Sequence, residues 1–177
     1  PTMAAYDIDA NTWTVKSEDT LPIRFHHHSA YLDEVRKKFV FFGGFGNMIY
    51  NGDFYSCDLD NCQWKKDTLP SGDRIYPRYF TSLGYSSSED ALYVFGGMGN
   101  ESGEQIVGRN YFYDLYRLDL NTGVNEKIWG KDIVLDWKEE NMVPVRNMIL
   151  HDGGFYTMCY PEFHTNSYLQ LFYFDIA

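Results

Sequence analysis

Cysteine is scarce: Cys57, Cys62 and Cys159 are the three in 177 residues. So small and odd a number argues against a disulfide framework. Cys57 and Cys62 flank what reads as a hairpin turn and could pair across it; two buried or half-buried thiols is the plainer alternative. Basic charge is also short, 15 Lys and Arg against 25 Asp and Glu, for a net charge of −10. That field repels a phosphate backbone, so nucleic acid is not expected as a partner. No run approaches the ~18 apolar residues that a membrane helix needs. A signal peptide and an initiator Met are missing as well, which predicts a segment of a longer chain with any targeting sequence upstream. The compartment stays unassigned. Two catalytic signatures are lacking too. Gly43-Gly44-Phe45-Gly46 follows a strand but has neither the Lys-Ser/Thr pair nor the following helix of a phosphate loop, and no nucleophile elbow occurs.

Aromatic residues are abundant. Fifteen Tyr, 13 Phe and 4 Trp make up 18% of a chain that is 44% hydrophobic and 23% charged. The balance is that of a globular protein, and such side chains favour strands. They also recur at a fixed spacing. Tyr6-Asp7-Ile8-Asp9 with Trp13 returns as Cys57-Asp58-Leu59-Asp60 with Trp64, 51 positions on. Tyr116-Arg117-Leu118-Asp119, with Trp129 further along, and Phe172-Tyr173-Phe174-Asp175 read as a third and a fourth copy. Between them Phe39-Val40-Phe41-Phe42-Gly43-Gly44 returns as Leu92-Tyr93-Val94-Phe95-Gly96-Gly97 after 53 positions, and Arg24, Arg78 and Arg146 each precede a unit.

Four hydrophobic residues, a diglycine, a separate Tyr-bearing strand and then a Trp resemble the kelch repeat, whose period is about 50 residues. The resemblance spans essentially the whole chain. It implies an all-β fold, a kelch-type β-propeller of about three four-stranded blades. Residues 1–22, 23–70, 71–130 and 131–177 form the successive blade parts of one domain. In the first full blade strand a covers 25–32, strand b 39–42, strand c 54–59, and strand d starts at Trp64. The diglycine is expected to end strand b where backbone passes close to backbone. The third blade departs from the pattern: Tyr160-Pro161 stands where the diglycine should be, and Gly153-Gly154 is read as the a–b turn.

The order c–d, two full blades, then a–b–c gives a partial propeller. Rings of this kind close with about four to eight blades. The remaining blades are expected from a longer chain, or from a second copy closing the ring by two-fold symmetry.

Binding sites are expected on the face carrying the b–c connections (45–53, 98–112, 162–167) and the d–a connections (19–23, 67–77, 131–144). Arg24, Arg78 and Arg146 are expected at equivalent positions by the channel mouth, either clamping a carboxylate of an acidic peptide or sugar or bonding nearby carbonyls and Asp. Alternation along strand a places His26 and His28 on one face and His27 on the other. Two imidazoles fall short of a metal site, so core or channel-lining histidine is the expectation. Asp9, Asp60, Asp119 and Asp175 read as turn formers rather than calcium ligands. Cys159, Tyr160 and His164 share residue types with the copper site of galactose oxidase but not its spacing.

No catalytic residue, metal or cofactor is assigned. The function expected is non-catalytic recognition of a protein, or of an acidic small molecule or glycan, through the loop face, as part of a larger receptor or regulator. The alternative is a kelch sugar-acid mutarotase of the sialic acid class, with arginines and a carboxylate such as Glu104 or Glu162 moving the proton.

Overall fold

The computed structural model describes residues 3–19, 24–61, 63–130, 141–162 and 168–177. Strands β1 (Met3–Asp7) and β2 (Thr12–Ser17) form a hairpin. The first four-stranded blade comprises β3 (Ser29–Asp33), β4 (Lys38–Phe42), β7 (Phe54–Asp58) and β8 (Trp64–Lys66), in that spatial order and antiparallel throughout. Its b–c connection carries a small hairpin of β5 (Phe45–Gly46) and β6 (Ile49–Tyr50).

Next come β9 (Ser71–Gly72), β10 (Arg78–Tyr79), β11 (Ser82–Ser86), β12 (Ala91–Gly99), a 3-10 turn Gln105–Val107, β13 (Asn110–Asp119) and β14 (Val124–Trp129). In the second blade β10 and β11 together form strand a against β12, followed by β13 and β14. The third sheet pairs β15 (Met142–Pro144) and β16 (Ile149–His151) with β17 (Gly154–Pro161), and β17 with β18 (Gln170–Asp175). The all-β arc of about three blades is thus as expected: c–d, two complete blades, then a–b–c. Among the described residues no helix is long and apolar enough to cross a membrane.

Period-two alternation explains why the b strands are apolar throughout. On β12, Leu92 and Val94 pack toward the first blade, with Val40, Phe42, Leu83 and Leu118. Tyr93 and Phe95 point the other way, onto Phe155, Phe174 and Met148 of the third. Each such side chain contributes roughly 1.5–3 kcal/mol by leaving water. Trp129 closes the second interface against Phe95, Phe155 and Phe174. Trp64 packs on Phe39 and Phe41, whereas Trp13, matched to it in sequence, is exposed.

Several local expectations are corrected. The first diglycine ends strand b as expected, β4 stopping at Phe42, whereas the second bends it without ending it. Gly43 and Gly44 (φ 75° and 100°) lead straight into β5, and β12 runs through Gly96 and Gly97 (φ 65° and 104°) with a shift of register. A Cβ on Gly43 would stand 2.6 Å from the Arg78 carbonyl oxygen, so the close approach foreseen for these glycines is real. Because β12 and β13 run so far, the long second b–c connection shortens to residues 100–109.

The aspartate repeat also shifts by two positions in its later copies. Asp58 pairs with Lys38 and Asp119 with Ala91, so Asp119 and Asp175 match Asp7 and Asp58 rather than Asp9 and Asp60. Asp7, Asp58, Asp119 and Asp175 each accept a backbone N–H from two or three residues ahead. The Asx turn expected at Asp119 and Asp175 is therefore present, while in the first two copies it is made by Asp7 and Asp58 and not by Asp9 and Asp60. Asp9 and Asp60 are exposed beside those turns. In the third blade the a–b turn is Asp152-Gly153, with Gly154 already inside β17. Cys57 is buried on β7, and its suggested pairing with Cys62 falls outside the described residues.

Candidate binding face

Strand register decides where the five singled-out residues lie. His26 bridges Phe45, the residue after Gly44, as Tyr79 pairs with Met98, the residue after Gly97. His26 therefore matches Tyr79, and the counterpart of Arg78 is Phe25, not Arg24. Arg24 matches Pro77: the carbonyl of each lies against a glycine, Gly46 and Gly99 respectively. Arg146 follows β15 and lies between the two parts of strand a, well past the place of Arg78. The three arginines thus do not form a ring of equivalent positions. In the third blade the place of Arg78 falls to Asn141, five residues before Arg146, and in the first blade the arginine is displaced by one.

Arg78 is fully buried. Its Nη1 donates to Asp114 at 2.6 Å and to the Gly96 carbonyl at 3.2 Å, and its Nε donates to the Tyr76 carbonyl at 2.9 Å. The guanidinium lies 4.0 Å from the centre of the Phe112 ring. Its backbone completes a second clamp, accepting from Gly44 N–H and donating to the Asn51 carbonyl. A side chain so placed ties strand a to strand c and the second blade to the first, and presents no donor to solvent. Arg24 and Arg146 are exposed.

The histidines depart from alternation for a local reason. His27 has a positive φ of 54°, which breaks strand a between His26 and β3. His26 and His27 both turn to the Phe45 ring, and His27 also packs on Phe80 at 4.4 Å. His28 goes to Phe41 instead. Partial desolvation holds the His27 and His28 imidazoles below their ordinary basicity, helped at His27 by His26 and at His28 by His27 and His26.

Two features stand out on this side of the molecule. The first is an aromatic cluster over the inner strands, Tyr50, Tyr79, Phe45, Phe80, Tyr111 and Tyr160, around buried Met98 and Val143. Arg109 caps it, donating to Tyr79 Oη at 2.9 Å and to Glu162 at 2.8 Å, while Tyr111 Oη donates to the same carboxylate. Nothing in the repeat marks Arg109, because it sits in the variable b–c connection; Glu162 was singled out as a possible proton carrier and is found held in this clamp.

The second is a groove of about 510 Å³ where the inner strands of three blades converge, lined by His27, His28, Phe80, Thr81, Arg146 and Asn147 among others. Asn147 Nδ2 donates across to the Ala30 carbonyl, tying third blade to first, and Ser82 Oγ donates to the Arg146 carbonyl. Of the five candidates the groove gathers His28 and Arg146, and leaves Arg24, Arg78 and His26 outside it.

The family model of the KLHDC2/KLHL20/DRC7 Kelch-repeats domain matches residues 2–176. The chain belongs to this kelch family. A solved structure titled "Structure of YjhT" aligns with a TM-score of 0.49 and 20% identity, over 77% of the kelch chain and 34% of its own. The kelch chain therefore spans about a third of the length of that structure. No curated protein sequence matches it. The kelch repeats suggest a protein-interaction module, which is the coarse part of the expected recognition function.

The remaining candidates of this kelch chain sit as follows. Cys159 is buried, and burial raises its thiol to about 12. His164 lies outside the described residues, and with it the comparison to a copper site. Glu104 bridges Ile49 through its backbone, and its carbonyl accepts from Asn100.

Burial also lifts three tyrosines to about 12: Tyr93, further raised by its bond to Glu89; Tyr111, by Glu162; and Tyr116, by the nearby Asp114 charge. Each binds its proton more tightly folded than unfolded. Their contribution to stability is therefore complete below pH ~10 and falls as pH climbs from there through about 12. Absorbance titration near 295 nm should show a late phenolate step that moves to pH ~10 in denaturant; a single step at pH ~10 in the native protein would contradict it.

Proposed function

We propose that this kelch domain is a non-catalytic recognition module whose inner-strand groove receives an acidic group of a partner protein. The supporting observation is the groove's charge. On a chain of net charge −10, its charged lining residue is the Arg146 guanidinium. His27 and His28 stand beside it, their lowered basicity adding no charge at neutral pH, and no carboxylate-bearing residue stands among its described lining. Arg146 bonds the carbonyl of its neighbour Val145 and is otherwise turned outward, which leaves its fork available for a bidentate carboxylate. Thr81, a buried hydroxyl bonded to Ser29, and the Asn147 amide add neutral polar groups to the wall. The sugar-acid isomerase alternative needs a carboxylate beside that arginine, and Glu162 is engaged by Arg109 and Tyr111 instead.

Fluorescence anisotropy with a labelled glutamate-rich peptide tests the reading. Arg146→Ala should weaken binding roughly 10- to 100-fold, the worth of one charged hydrogen-bonded contact, with circular dichroism unchanged. Arg24→Ala should leave affinity where it is. Equal binding by Arg146→Ala and the parent protein would end the proposal, and displacement of the peptide by free sialic acid would reassign the groove to an acidic sugar.

A further inference from the structure

The small hairpin of the first b–c connection and the loop of the second are tied into one platform. Tyr50 N–H donates to the Gly103 carbonyl at 2.7 Å and Gln105 N–H to the Met48 carbonyl at 2.9 Å, and Ile49 bridges Glu104. Buried Asn100 holds the longer loop from within, donating to the Glu104 and Gly108 carbonyls and accepting from Gly103 N–H. On loops fixed in this way, Met48, Ile49, Ile106 and Val107 are each half exposed or more. Single exposed apolar side chains are ordinary, but four on two interlocked loops mark an interaction surface. Met48 adds a further sign. Asn47 and Met48 both have positive φ (51° and 65°), in a two-residue turn that favours Gly at its second place. Keeping Met there strains the backbone and sets an adaptable thioether at the tip of the hairpin.

A cavity of about 480 Å³ adjoins the platform, with Ile49 and Gly103 in its wall and Phe25, Leu69 and Ile75 as apolar lining. Part of that wall is the d–a connection, which lays β9 parallel along β14, Ser71 opposite Val124 and Gly72 opposite Asn125. The pairing buries Asn125, whose Nδ2 donates to the Asp73 carbonyl. Leu69 remains exposed.

Charge narrows the choice of partner. The exposed carboxylates of Glu101 and Glu104 stand on the longer loop, with no ion-pair or hydrogen-bond partner among the described residues. Arg74 lies nearby but turns to the Glu101 carbonyl and the Tyr76 ring. An occupant must therefore bring apolar groups and positive charge together. The apolar residues are spread over two loops, which suits a peptide better than a small molecule, and an anionic membrane would be repelled by both carboxylates. We infer that the tied loops dock a segment of a partner protein that joins large apolar residues to Lys or Arg. Its apolar side chains cover Met48, Ile49, Ile106 and Val107, with one seated in the cavity beside Leu69, and its cations face Glu101 and Glu104. None of these residues lines the groove at Arg146, so this surface does not depend on the reading proposed above.

The probe is a dye-labelled, capped Lys-Leu-Trp-Leu-Lys peptide, followed by fluorescence anisotropy. Capped Glu-Leu-Trp-Leu-Glu and Lys-Gly-Gly-Gly-Lys serve as controls that lack the cations and the apolar body respectively. The first peptide should bind roughly tenfold or more tighter than either control. Ile106→Ser with Val107→Ser should weaken it by roughly tenfold, with circular dichroism unchanged. Glu101→Gln with Glu104→Gln should weaken it roughly 3- to 10-fold, an effect that fades with added salt. Asp9→Asn with Asp60→Asn removes the same charge from another surface and should leave affinity unchanged, as should Arg146→Ala. Equal weakening by the Asp9 and Asp60 pair would reduce the effect to diffuse attraction and overturn the inference. So would full binding by the Ile106 and Val107 variant, no binding at millimolar peptide, or cosedimentation of the protein with phosphatidylserine vesicles through these loops.

Discussion

Arg78→Ala should destabilise the domain by about 3–5 kcal/mol, the usual result of leaving one member of a buried ion pair without the other. The basis is the complete burial of Arg78 and its bonds to Asp114 and to the Gly96 and Tyr76 carbonyls. A loss of that size is a large fraction of the ~5–15 kcal/mol that holds a typical domain together. The charge itself is not what the fold needs. Attraction across a buried pair is largely offset by desolvation, so Arg78→Met combined with Asp114→Leu should recover most of the loss. Urea denaturation of the three proteins separates the terms. Were Arg78→Ala to shift stability by less than about 0.5 kcal/mol, the level of an ordinary surface change, the clamp would be of no consequence.

The second large effect is expected at Phe95. Its ring is 1% exposed and meets Trp129, Phe155 and Phe174, so it belongs to both the second blade and the joint with the third. Phe95→Ala removes those contacts and leaves a cavity that two sheets must share, at a cost of about 3–5 kcal/mol. Phe95→Leu keeps most of the volume and should cost clearly less. Because the ring spans a joint, the third sheet should lose its amide protection before the first in hydrogen exchange on Phe95→Ala. Uniform loss across all three blades would show instead that the arc unfolds as one unit.

Arg78 also illustrates how far the sequence could be read. The blades were legible because their signals are chemical and periodic: an apolar b strand, a diglycine, an Asp at the end of strand c, a Trp on strand d. Register was not. Arg24 and Arg146 precede an inner strand in sequence just as Arg78 does, yet a displacement of one residue in the first blade and of five in the third puts them at different levels of the sheet. The two-position slip at Asp119 has the same origin: the second copy is longer, and a residue-type match cannot see where the extra residues were absorbed.

His27 shows another limit. A positive φ is foreseeable at the diglycines, where a missing side chain advertises it, and not at a histidine. Alternation was therefore carried straight through a residue that breaks it, and the pairing of His26 with His27 over Phe45 went unforeseen. The groove was half legible, since His28 and Arg146 were singled out; Thr81 and Asn147 sit in segments with no repeat signature. Asn125 gives no sign in sequence either, since its environment is created by β9, two residues arriving from the preceding connection.

That short parallel pairing bears on the order in which the protein can be made. β9 leaves the ribosome some fifty residues before β14, the strand whose outer margin it will cover. Until then its backbone groups have no β14 to pair with. Once β14 emerges, the earlier segment seals the later sheet along the side where another chain would otherwise add. The second blade is thus finished by a piece of chain already waiting for it.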